Sequence, residues 1–72
     1  MSELVVDSRI DAAYLYVSSM SESRRSASTE PLRPDDQGGM INLDFDAEGH
    51  LVGIELFPAT LYLRQQDIAD AS

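Results

Sequence analysis

Met40-Ile41-Asn42-Leu43-Asp44-Phe45-Asp46-Ala47-Glu48-Gly49-His50-Leu51-Val52-Gly53-Ile54-Glu55-Leu56 is the stretch on which the fold turns, because it fits two incompatible structures. Counted from Asp44, the residues Asp44, Asp46, Glu48, Gly49 and Glu55 approach the D-x-[DN]-x-[DN]-G signature, with its closing glutamate, of an EF-hand calcium loop. Such a loop is held between two helices, and neither Met40-Ile41-Asn42-Leu43 nor Leu56-Phe57-Pro58 starts or continues an amphipathic helix. The other reading is a β-hairpin. Ile41, Leu43 and Phe45 alternate with Asn42, Asp44 and Asp46, and Val52, Ile54 and Leu56 alternate with Leu51, Gly53 and Glu55. A period of two on both sides of a turn outweighs one degenerate motif. Aligning the apolar faces pairs Phe45 with Val52, Leu43 with Ile54 and Ile41 with Leu56. The loop then holds an even number of residues, either Glu48-Gly49 or Ala47 to His50. Gly49 supplies the positive φ of the turn, and Asp44, Asp46 and Glu55 fall on the opposite, wetter face.

The flanking sequence extends the same architecture. Leu4-Val5-Val6 is a short apolar strand, broken by Asp7-Ser8-Arg9-Ile10-Asp11. Ala13-Tyr14-Leu15-Tyr16-Val17 is a second strand, with Ala13, Leu15 and Val17 on one face and the tyrosines covering the other. Residues 18–39 hold a serine-rich variable loop and an edge strand read at Arg24 to Glu30. The two arginines there suit solubility and protection of an edge. Pro31, Pro34, Asp35, Asp36, Gly38 and Gly39 read as loop. Gly38-Gly39 has no GK[ST] after it, so it is no phosphate cradle. Pro58 suits the first turn of a helix, and Ala59 to Ile68 reads as one short helix with Leu61, Gln65 and Ile68 on one side. Residues 69–72 read as a frayed tail. The expected fold is α+β: one domain over 1–72, with a small antiparallel sheet of four or five strands, meander-like, and one short C-terminal helix.

Composition narrows the function. With 72 residues and no cysteine, the chain is near the size at which a single core is marginal, and neither disulfides nor thiolate-bound metals reinforce it. Self-association into a homodimer or larger assembly is the expected remedy, through sheet faces or edges. Thirteen acidic residues stand against five basic ones, all arginine, for a formal charge of −8. Such a surface repels nucleic acid and favours a basic protein partner. No apolar run approaches the roughly 20 residues that cross a bilayer, and no signal-peptide pattern opens the chain. A cytoplasmic protein with no membrane partner is expected.

No catalytic, cofactor-binding or metal-ligating set is assigned. His50, the lone histidine, falls at the turn without a pocket or an orienting group. The serines lack a GxSxG context, and the carboxylates read as a solvated face. The chain is therefore expected to be no enzyme and to carry no cofactor. Two function classes follow: a small acidic interaction module acting as a homo-oligomer, or a ligand- or divalent-metal-binding domain using Asp44, Asp46, Glu48 and Glu55.

Two segments carry a family resemblance. Asp7-Ser8-Arg9-Ile10-Asp11-Ala12-Ala13-Tyr14-Leu15-Tyr16-Val17 resembles a D-x-x-x-D-x-x-Y-[LI]-x-[LIV] opening, and Asp44 to Glu55 resembles a D-[YF]-D-x-x-G-x-[LIV]-[VI]-G-[IL]-E run. Both belong to the bacterial and archaeal family called domain of unknown function 2283. Together they span about a third of the chain, and the second is the more specific. The chain departs from the pattern at 18–39, which is longer and richer in serine, and after Phe57. The resemblance implies a compact antiparallel sheet with a C-terminal helix and no established activity. It also implies kinship with small antitoxin-like proteins encoded beside basic, ribonuclease-like toxins.

Overall fold

The computed structural model describes residues 3–17, 26–32 and 38–71. Five strands form one antiparallel sheet: β1 (Glu3–Asp7), β2 (Ala12–Tyr16), β3 (Ser28–Leu32), β4 (Met40–Phe45) and β5 (Leu51–Phe57). Two short helices follow, α1 (Ala59–Tyr62) and α2 (Gln65–Ala71). The α+β class and the antiparallel sheet are as the sequence predicts.

The spatial order is β1-β2-β5-β4-β3. This is a correction to the simple meander: β3, β4 and β5 do meander, but β2 pairs with β5 instead of β3. Composition explains the choice. The apolar strand LVGIELF takes the centre, where it is paired along both edges, while STEPL takes an outer position and is exposed throughout. Pro31 lies inside β3, opposite Asn42, although the sequence reading put it in the loop. A proline has no amide to donate and is tolerated in an edge strand. The strand read at Arg24 to Glu30 is thus seen as Ser28–Leu32. Arg24 and Arg25, like Pro34-Asp35-Asp36, lie outside the described residues.

The hairpin forms with one change of register. Ile41 opposes Leu56 and Leu43 opposes Ile54 as expected, but Phe45 opposes Leu51, with a bulge beside Asp44. The connecting loop is therefore the five residues 46–50, an odd number. The extra residue on β5 is Val52, whose carbonyl accepts the Val17 amide at 2.9 Å and whose side chain is only 1% exposed. A bulge absorbs one residue without turning the rest of the strand over. Gly49 takes φ +88° as the turn requires.

Two helices stand where one was expected. Leu63 is extended (φ −107°, ψ 147°), and its amide closes α1 onto the Ala59 carbonyl at 2.9 Å. Asp67 then accepts the Arg64 amide at 3.4 Å, the reach-back of a capping box, and starts α2. Pro58 is the N-cap of α1, one position before the first turn. α2 runs through Ala71 and so takes in most of the tail expected to fray. The start of α1 is fixed from the β1–β2 turn. The Asp11 carbonyl accepts the Ala59 amide at 2.7 Å, and its carboxylate accepts the Thr60 amide at 3.1 Å and the Thr60 hydroxyl at 2.6 Å. Asp11 holds a left-handed φ of 54°, a conformation aspartate tolerates better than most residues.

Register divides the sheet into two faces. Leu4, Leu15, Ile54 and Leu43 form one row across it, and Val6, Ala13, Leu56, Ile41 and Leu32 form another on the same side. This apolar face carries the helices: α1 lies on β5 and α2 on β1. Leu4 there lines an open cleft of about 380 Å³ with Leu63, Asp67, Asp70 and Ala71. Among the described residues the buried apolar side chains are Ala13, Val52 and Ala59.

Gly53 is required by close approach. A Cβ at that position would lie 2.3 Å from the Tyr14 ring and 2.8 Å from the Leu15 carbonyl oxygen. Because the second neighbour is backbone, the sheet itself must shift to admit it. Gly53→Ala is expected to destabilise the chain by about 1–3 kcal/mol, measured as a lower urea midpoint.

Candidate functional site

The face opposite the helices is polar. Val5, Tyr14, Glu55, Asn42 and Pro31 form one row on it, and Tyr16, Gly53, Asp44 and Thr29 the next. The Tyr14 hydroxyl donates to Asp44 Oδ2, crossing β5 above Gly53 to reach β4. From the other side Thr29 Oγ1 donates to Asp44 Oδ1 at 2.6 Å. Asn42 Nδ2 donates to Glu55 Oε1 at 2.8 Å. Four strands thereby share one hydrogen-bonded layer.

The electrostatics follow from that geometry. Burial pushes the Tyr14 phenol up, and the hydrogen bond to Asp44 and its negative charge raise it further, with smaller contributions from Tyr16 and Glu55. Tyr14 stays a neutral donor at any ordinary pH. Its ring meets that of Tyr16 at 4.6 Å between centroids, tilted by 49°. None of the five strands carries an arginine, lysine or histidine. Arg9 is held in the β1–β2 turn by Asp7, at 2.9 Å. The result is an acidic, tyrosine-bearing surface without internal counter-charge among the described strand residues.

The four residues of the calcium-loop reading are not brought together. Asp44 and Glu55 lie on the sheet and are bonded to Tyr14, Thr29 and Asn42, whereas Asp46 and Glu48 belong to the turn. Asp46 Oδ1 accepts the amides of Glu48 and His50, both at 2.9 Å. Its main chain bridges the same loop: the Asp46 amide donates to the His50 carbonyl at 2.9 Å, and the Gly49 amide to the Asp46 carbonyl at 3.0 Å. The His50 amide first, opposed by burial and then aided by the Glu48 amide, holds the Asp46 carboxyl below the usual carboxylate range. Ligand atoms of Asp46, Glu48 and His50 do lie within 4.8 Å of one another. The His50 side chain is 78% exposed, with Nδ1 at 3.9 Å from Asp46 Oδ2. Of the acidic motif, Asp46 thus serves to turn the chain, while Asp44 and Glu55 are held on the sheet.

Sequence reasoning placed Tyr14 and Tyr16 opposite the apolar residues of their strand and set Asn42 with Asp44 and Gly53 with Glu55 by alternation, but it missed Thr29 and gave Asn42 and Gly53 no role. A glycine in the middle of an apolar strand was the available signal, since it marks close approach by something else.

In comparison with known proteins, a family described as "Protein of unknown function (DUF2283)" matches residues 5–59. No curated protein and no solved structure matches the chain. No helix is long and apolar enough to cross a membrane, among the described residues.

Two titrations test the site. Asp44→Asn removes both the acceptor charge and its field, so the Tyr14 titration should move down toward an ordinary phenol, read from phenolate absorbance against pH. Burial keeps part of the rise. Asp46 has a folded pKa below its unfolded one, so its contribution to stability is present above the unfolded value and lost as pH falls through the folded value. The protection of the Glu48 and His50 amides against exchange, taken relative to their intrinsic rates at each pH, should therefore fall on acidification. In Asp46→Asn that acid-dependent loss of protection should be absent.

Proposed function

The chain belongs to the family of proteins of unknown function termed DUF2283, and from that premise we propose that it is a small acidic, non-enzymatic protein-interaction module. It works as a homo-oligomer in the cytoplasm and receives a basic protein segment on the polar face of its sheet. The observation that carries this reading is the face itself: Asp44 and Glu55 presented beside Tyr14 and Tyr16, with no basic residue on the strands among the described residues.

Chemistry favours arginine on the partner. Asp44 already accepts two hydroxyl donors, but an ionised carboxylate offers about four lone-pair sites and can take more. A guanidinium bonds carboxylates through paired N–H groups and stacks on tyrosine rings. The formal charge of −8 adds long-range attraction for a basic chain. The antitoxin-like role implied by the resemblance is one form of this reading, with a basic toxin as the partner. Support for a non-enzymatic role is that Asp44 and Glu55 are occupied by neutral donors within the sheet and His50 is solvated at the turn.

Titration of the chain with an arginine-rich peptide, followed by tyrosine fluorescence, tests the proposal. Association is expected at low salt and should weaken as salt rises. Asp44→Asn and Glu55→Gln should each lower affinity by about two- to five-fold, the range of exposed ion pairs. Affinity indifferent to salt, or unchanged in the double variant, sinks the reading.

A further inference from the structure

The polar face changes character along its strands. Three rows follow one another on the β4–β5 pair: Asp44 opposite Gly53, Asn42 opposite Glu55, and Met40 opposite Phe57. Residues two apart on a strand, and residues directly opposite on its neighbour, share a face, so Phe57 and Met40 continue the surface that carries Asp44 and Glu55. Asn42 Nδ2 lies 3.7 Å from Met40 Sδ, which places both side chains together. The first two rows each offer a carboxylate, and the third is apolar. Phe57 is 47% exposed, and Val5, in the row of Tyr14 and Glu55, is 44% exposed. Asp7, two residues on from Val5 and so on the same face, already holds its cation in Arg9, at 2.9 Å.

We infer that this face reads an extended segment in phase: an arginine over Asp44, a second basic side chain two residues on over Glu55, and an apolar side chain two residues further, seated on Phe57 and Met40. The inference rests on the polar-face reading and names the order of side chains that the partner carries. The rows lie roughly 7 Å apart, because a strand rises about 3.4 Å per residue, and an extended segment laid along β4 and β5 presents its own alternate side chains at the same interval. Charge sets the order. A guanidinium over Phe57 and Met40 would lose water without gaining a carboxylate, whereas an apolar side chain there removes the exposed ring from water. A second copy of this chain is the poorer occupant, since it would bring two molecules of formal charge −8 face to face.

Two synthetic peptides of identical composition, with blocked ends, test the phase. One carries arginine, arginine and leucine at its second, fourth and sixth positions, with threonine elsewhere. The other exchanges the leucine with the threonine after it, so that in the same register the leucine points away from the face. Binding to the full chain is followed by tyrosine fluorescence at low and moderate salt. The in-phase peptide should bind about three- to tenfold more tightly, less than full burial of a leucine would give. That ratio should persist as salt weakens both complexes, because screening acts on charge. In Phe57→Ser the two peptides should bind equally, with the out-of-phase peptide at its original affinity. Circular dichroism reports whether that variant remains folded, and the comparison on the unaltered chain stands without it. Equal, salt-sensitive affinities on the unaltered chain overturn the inference and leave the polar-face reading standing, whereas no binding of either peptide overturns both. A preference that survives in folded Phe57→Ser, or a change of oligomeric state there in sedimentation equilibrium without a change in the ratio, also overturns the inference, the second result assigning this end of the face to contact between copies.

Discussion

The pairing of β2 with β5 is the constraint on which the rest depends. It joins a hairpin from the start of the chain to a three-stranded unit built from the later half, through Ala13–Leu56, Tyr14–Glu55, Leu15–Ile54 and Tyr16–Gly53. Contacts so far apart in sequence have a loop-closure cost that local hairpins avoid, so they need more than ladder hydrogen bonds. Both faces supply it. On the apolar side the junction brings Ala13 and Val52 into the core, and on the polar side Tyr14 crosses Gly53 to reach Asp44. The bulge at Val52 serves the same junction, because it frees that carbonyl for the Val17 amide.

The two sides of the sheet meet different physical demands. The polar side satisfies its own donors and acceptors, with carboxylates bonded to a phenol, a hydroxyl and an amide that lie next to them in register. It is complete in hydrogen bonding and incomplete in charge. The apolar side is built from leucines and isoleucines that are partly covered by the helices, and it holds one buried polar atom without a hydrogen-bond partner among the described residues, the Tyr62 hydroxyl of α1.

Much of the fold was legible from periodicity. Alternation located the hairpin, placed the tyrosines opposite Ala13 and Leu15, and made Gly49 the turn residue. It could not reveal the bulge, because inserting Val52 leaves the apolar pattern looking regular while moving Phe45 opposite Leu51. Nor could it give the order of strands, which is set by how β5 competes with β3 for the place beside β2. The helix break at Leu63 was hidden because Ala59 to Ile68 contains good helix formers. Asp11, from the first turn of the chain, fixes where α1 begins, while Asp67 caps the Arg64 amide, so that a new helix begins at Gln65, two residues after Leu63. Of the site, the carboxylates and tyrosines could be placed on one face, and the expected pairing of Ile41 with Leu56 and Leu43 with Ile54 already sets Asn42 opposite Glu55, whereas Thr29 comes from the register of β3 on β4, which no local pattern encodes.

The acidic run Asp44 to Glu55 shows why a metal-loop signature and a hairpin can share residues. Both structures need a tight turn, and both place oxygen acceptors close to backbone amides. In an EF-hand the alternate acidic side chains converge on an ion because the loop curls around it. Here the alternation runs along a strand, so Asp44 is carried onto the sheet face and Asp46 onto the turn. Asp46 Oδ1 there accepts the amides of Glu48 and His50. Glu55, the residue that would close the loop, is held on β5 beside Asn42 of β4. Strand pairing, once formed, separates the ligands that the spacing of the sequence brings together. In the proposed function, Asp44 and Glu55, the two carboxylates of this run that the sheet carries, are the ones offered to a partner's cations.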